Sequence, residues 1–182
     1  MSHIRVAIIL IALIQVGGCA NPLNQATSDR YAELCAAAER NGQLAAAEEA
    51  CYRAVKNVDW GNLGAELKSQ RLYNLARIKR QLGKFAEAEA LLTESLRLEE
   101  ALSSRDPLRI ARRRIELSVN LAGQDRWAEG ADDLVKVIPV AAQFQAQERA
   151  YVKLTYMEFE KRLSALGKAS LAAQFAAAAR AL

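Results

Sequence analysis

Histidine is nearly missing from this 182-residue chain: the one present is His3. It lies in a segment read below as a removed leader, which would leave no histidine for acid/base catalysis, for Ser/His or Cys/His nucleophile pairs, or for a zinc site. Residues that favour strands are sparse as well. Aromatic side chains make up 6% of the chain, and three prolines and nine glycines punctuate it. Alanine, the strongest helix former, occupies 36 positions, so an all-α fold is expected. With 52% apolar and 25% charged residues, the balance is that of a globular chain and not of a disordered one.

A long apolar run is also lacking. The longest stretch, Val6 to Val16 with Gln15 inside it, falls short of the roughly 20 residues needed to span a bilayer. Arg5 precedes it and Gly17-Gly18-Cys19 follow, the charged-then-apolar order of an export signal. The tetrad Val16-Gly17-Gly18-Cys19 resembles the bacterial lipobox. That resemblance implies a signal peptide cut before Cys19, acylation of Cys19, and anchoring in a lipid bilayer by two or three chains, enough for stable attachment. Ala20 stands where the family places an inner-membrane retention Asp, which points to an outer-membrane lipoprotein facing the periplasm. The alternative is an ordinary secreted protein in which Cys19 is incidental. The chain thus divides into a signal peptide (1–18), a lipidated cysteine with a polar tether (19–28) and a folded domain (29–182). Loss of the leader removes Arg5 from 25 basic residues and none of the 21 acidic ones, so the excess falls from +4 to +3. That is too small to argue for nucleic acid as a partner.

Internal repetition is the strongest signal in what remains. Four segments share a helix–turn–helix pattern, centred on the turns near Arg40, Arg80, Gly123 and Ser164. With Leu44, Phe85, Trp127 and Ala169 as equivalent residues after each turn, the offsets are 41, 42 and 42. In the second unit Leu72, Leu75, Ile78 and Leu82 recur at helical spacing and Gly83 breaks the helix. Phe85, Ala88, Leu92, Ser95 and Leu96 then build a second stripe. The small Ala88 suits a close helix crossing. Asp106 and Pro107 are placed to cap and open the third unit.

The stretch 72–107 resembles a tetratricopeptide (TPR) repeat of the longer, roughly 42-residue kinesin-light-chain-like type. The likeness extends over about residues 28–182 and implies a right-handed all-α superhelix of about four helix hairpins that binds a protein or peptide. The pattern departs from the family at Gly130, Arg114, Pro139 and the segment 58–64.

Two cysteines remain after the anchor. Cys35 and Cys51 stand symmetrically about the first turn, at heights that allow a disulfide in an oxidising compartment, or that suit two small core residues. The acids Glu48-Glu49, Glu87-Glu89, Glu99-Glu100 and Asp132-Asp133 are neighbours along helices and do not face each other across a cleft, so no catalytic pair is expected. No metal site and no cofactor is expected either.

In TPR arrays the first helix of each unit lines the concave surface, and here that side would carry Tyr73, Asn74, Arg77, Arg80 and Arg112. Glu116 and Val119 lie alongside, with Arg113 near the rim. Planar arginine forks suit carboxylates and asparagine suits a peptide backbone, so a peptide groove poor in exposed acids is expected. The last helix ends the chain with an apolar side of Leu171, Phe175 and Leu182, expected either to be wetted or to dock on another surface, including a second copy. The function expected is a membrane-anchored interaction scaffold or adaptor for a pilus, secretion or envelope-assembly machine. The competing class is an envelope enzyme or an activator of a cell-wall hydrolase.

Overall fold

The computed structural model describes residues 20–182. The expected signal peptide and lipobox, with Cys19, lie outside the described residues. Eight α-helices follow one another as antiparallel pairs: α1 (Pro22–Arg40) with α2 (Leu44–Gly61), α3 (Ala65–Gln81) with α4 (Phe85–Ala101), α5 (Pro107–Ala122) with α6 (Trp127–Val135), and α7 (Ala146–Ala165) with α8 (Ala169–Ala181). Between pairs, α2 packs on α3, α4 on α5 and α6 on α7. The result is an all-α superhelix of four hairpins, with no strand among the described residues.

The four residues used to measure the repeat, Leu44, Phe85, Trp127 and Ala169, each begin the second helix of a hairpin. The turn before them is built one way throughout. Gly42, Gly83, Asp125 and Gly167 take positive φ between 58° and 73°. The next residue's N–H reaches back five positions, as in Lys84 N to Lys79 O at 2.9 Å and Arg126 N to Leu121 O at 3.0 Å. This left-handed cap satisfies the last carbonyls of the first helix and reverses the chain within three residues. Asp125 is the one non-glycine in the set.

Three residues into each second helix stands a small side chain where the pair crosses: Ala47, Ala88, Gly130 and Ala172. At Gly130 even a methyl group has no room, because a Cβ would lie 2.8 Å from Ser118 O and 3.2 Å from the Phe159 ring. The third hairpin departs from the others in length as well. α6 has only nine residues before Pro139 turns the chain into a 3₁₀ segment, Ile138–Gln143. Arg114, unusual at an apolar position, is held by Glu100 and Asp133.

The first hairpin is closed covalently: Cys35 and Cys51 form a disulfide with Cα atoms 5.2 Å apart, buried in the apolar cluster with Ala47, Val55, Leu72, Leu75 and Ile78. Where the second and third hairpins meet the packing is polar, built on two serines that tie α3 to α4 within the second hairpin and receive an arginine from α5. Ser69 Oγ donates to Ser95 O at 2.9 Å and Ser95 Oγ to Ser69 O at 2.7 Å. Arg113 Nε donates to Ser69 Oγ at 2.9 Å, and its Nη2 lies 3.0 Å from Glu99 Oε2. The first seam repeats the motif: Ser28 Oγ donates to Ala54 O at 2.9 Å and Arg71 Nε to Ser28 Oγ at 3.2 Å. Arg113, expected near the groove rim, is therefore a buried seam residue, 1% exposed. Full burial of this arginine is tolerable because serine hydroxyls and the equally buried Glu99 answer its charge.

Two further expectations are corrected. Residues 22–28 are not a flexible tether but the opening turns of α1. Asn21 caps the helix by accepting from Leu23 N at 3.0 Å and Pro22 occupies the first position, a pairing that favours helix whatever the polarity of the residues around it. Phe175 is not on an outward side of α8. It is fully buried against Tyr156 and Phe159, with ring centroids 5.6 and 5.8 Å away, and Leu171 and Leu182 pack on the same core. The large side chains of α8 turn back onto α7, and its open face carries Ser170, Ala173, Gln174, Ala177 and Arg180. Alanine and polar residues there cost little to wet.

Candidate peptide-binding groove

The first helices of hairpins two, three and four lie side by side and line a groove of about 500 Å³. Helical spacing puts Tyr73, Arg77 and Arg80 on one face of α3 at i, i+4 and i+7. α5 contributes Arg112, Ile115 and Glu116, and α7 contributes Gln147, Glu148, Tyr151 and Val152. Phe144, just past the 3₁₀ segment, lines it as well. Of the expected groove residues the structure brings together Tyr73, Arg77, Arg80 and Arg112. Asn74 does not join them. One position on from Tyr73, it lies a hundred degrees round the helix, where it accepts from Gln70 Nε2 at 3.1 Å.

The arginines are not bare, which corrects the expectation of an acid-poor surface. Glu116, 6% exposed, lies 3.0 Å from Arg80 Nε and 3.8 Å from Arg77 Nε. Arg77 Nη2 donates to Glu39 at 2.7 Å on the rim. Arg112 donates twice to Glu148, at 2.6 and 3.0 Å. The partners come from other hairpins, so every pair also ties repeats together. Among the charged residues lining the groove, three arginines face two glutamates, an excess of one positive charge.

Aromatic faces fill the space between the charges. The Arg77 and Arg113 guanidiniums lie 5.9 and 5.3 Å from the Tyr73 ring centre, and Arg112 lies 5.5 Å from that of Phe144. Such cation–π contacts help hold the guanidiniums in place. Burial pushes the Tyr73 phenol well above its ordinary range. Desolvation, with the charge of Glu116 second, raises that of Tyr151, so both stay neutral donors at physiological pH. Arg112 holds the Glu148 carboxyl below the usual carboxylate range. A carboxylate so held is a poor general acid.

Tyr151, Phe144 and Glu148 were not foreseen. The fourth repeat carries the weakest pattern, and Phe144 belongs to a joint no repeat predicts. The aromatic spacing at 144 and 151 was the available signal.

No protein-family model matches the chain, and no curated protein matches it. Solved structures do. BtubC (BKLC) from P. vanneervenii superposes with a TM-score of 0.73 at 20% identity over 86% of this chain, which spans 63% of that structure's length. A Podosopora anserina protein described as a kinesin light chain with nearly identical TPR-like repeats matches with a TM-score of 0.63 at 23% identity, over 85% of this chain and 74% of the other. The fold is a TPR-like repeat array. Within the array the groove lies on the face formed by successive first helices.

Proposed function

We propose that this protein is an adaptor, anchored through an acylated Cys19 in the outer membrane and facing the periplasm, whose TPR-like groove holds a peptide segment of a protein partner in an envelope machine. The observation that supports this most is the groove itself: a row of three arginines, two of them against aromatic rings, beside the open ring of Tyr151 and spanning three repeats. The anchor rests on the Val16-Gly17-Gly18-Cys19 tetrad. Confinement to a surface raises the effective concentration of whatever the groove holds.

The internal pairs decide how such a groove binds. A carboxylate of the peptide exchanges with Glu148 on Arg112, since Glu148 is the more exposed of the two groove acids. Because one ion pair replaces another, the net gain is below about 1 kcal/mol. Covering the Tyr151 ring with an apolar side chain contributes on the order of 1–2 kcal/mol more. The groove therefore selects a segment with an apolar residue beside an acid.

Arg77 and Arg80 are poor probes, because their loss strands the buried Glu116. The test uses Arg112→Ala with Tyr151→Ser in the acylated protein, read by crosslinked recovery of partners from membranes. Recovery should fall about tenfold, matching about 1.4 kcal/mol, with helicity unchanged. Undiminished recovery in this variant, with loss when Ala173 and Gln174 on the open face of α8 become Glu, would move the binding site to the last helix.

A further inference from the structure

Two large apolar side chains stand out at one end of the array: Leu23, 76% exposed, and Trp60, 73% exposed. They come from opposite ends of the first hairpin in sequence but flank one clamp in space. Asn21 N donates to Gly61 O at 3.0 Å. Helices α1 and α2 approach so closely there that a Cβ on Gly61 would lie 2.6 Å from Asn24 Cβ. Trp60 is next to one half of the clamp and Leu23 is two residues from the other. The carboxylate beside Trp60, Asp59, is neutralised by Lys68 at 2.9 Å.

The same clamp fixes where the chain leaves toward Cys19. Asn21 stands two residues after Cys19 in the chain, and two peptide units reach at most about 8 Å. With α1 beginning at Pro22, no slack remains to lift the fold away from acyl chains on Cys19. A tryptophan ring with an apolar body and one N–H suits the headgroup region of a bilayer, where its body is dry and its N–H is wet.

We propose that the Leu23–Trp60 edge is seated in the lipid headgroup region, so that the bilayer is the partner of this surface and the array stands on the membrane in one orientation, the open end of its first hairpin down. This rests on the reading of Cys19 as an acylated anchor.

The test begins by weighing the purified full protein to establish acylation, then places it in phosphatidylethanolamine/phosphatidylglycerol vesicles containing lipids brominated near the headgroup. Tryptophan emission of the wild type is compared with that of Trp60→Phe, and the difference reports Trp60 alone. Since Trp60 is exposed, the substitution leaves the fold intact, and Trp127 need not be touched. Trp60 should shift to the blue and lose about half its emission to the brominated lipid. In unacylated Cys19→Ser protein it should stay red-shifted and open to aqueous iodide. An acylated protein whose Trp60 is untouched by brominated lipid overturns the proposal, whether iodide reaches the ring or a second copy of the chain shields it. Absence of acyl mass on Cys19 overturns the anchor itself and this inference with it.

Discussion

Gly130 and Asp125 sit five residues apart in the third hairpin and illustrate opposite pressures on single positions. At Gly130 the constraint is space: a Cβ meets a backbone carbonyl, Ser118 O, which cannot rotate away. Gly130→Ala should therefore force α5 and α6 apart and destabilise the protein by about 1–3 kcal/mol, read from the midpoint of urea unfolding at unchanged slope. At Asp125 the constraint is backbone handedness, with φ at 58° where the other three turns use glycine. Asp125→Gly relieves that conformation while adding freedom to the unfolded chain, so a gain of up to about 1 kcal/mol is expected in the same measurement. The departure at Gly130 is visible in the sequence as a break in the pattern Ala47, Ala88, Ala172. Its cause is not, because Phe159 enters from another repeat.

Among the elements, the second helices were the most legible. Their starts at Leu44, Phe85, Trp127 and Ala169 follow from repeat spacing because each is preceded by the same left-handed turn, which is local chemistry. The length of α6 was less so. Pro139 marks a break, but whether the chain stops there or continues as 3₁₀ depends on what Val137 and Phe144 pack against. The start of α1 is hidden for a related reason: polarity alone predicts a tether there, although Asn21-Pro22 is itself a start signal. The hairpin α1–α2 is the element whose stability is most separable, since its disulfide closes a loop with sequence separation 16. In the chain-entropy model such a loop is worth roughly 3 kcal/mol. Reduction should lower the melting temperature by several degrees, and thiol titration of the folded, aerobically prepared protein should find neither Cys35 nor Cys51 free.

At the scale of the whole molecule, ion pairs join the repeats. Lys79 and Lys84 of the second hairpin hold Glu48 of the first, and Arg112 of the third holds Glu148 of the fourth. Hydrogen bonds from these partners keep both carboxyls below their ordinary range. Stability from a depressed carboxyl is complete above the unfolded value of about 4.3 and is lost as pH falls through the folded one. Melting temperature should accordingly decline from about pH 4 downward, and Glu48→Gln with Glu148→Gln should flatten that decline. Each pair is partly exposed and adds under about 1 kcal/mol. This network could not be read from the chain, because Glu39, Glu48, Glu116 and Glu148 lie 31–39 residues from their partners and meet them only once the superhelical register is set. The concave arginines were legible as a group through the repeat. That their charges were already answered was not.

The disulfide also determines how the molecule carries mechanical load. Along the covalent chain, a pull on its N-terminus enters α1 and crosses from Cys35 to Cys51 through the sulfurs, so residues 36–50 cannot be drawn out even when the hairpin unfolds. About 50 Å of contour is thereby withheld from extension. The covalent path to the helices that form the groove runs through α2, with the turn at Gly42 left out of it.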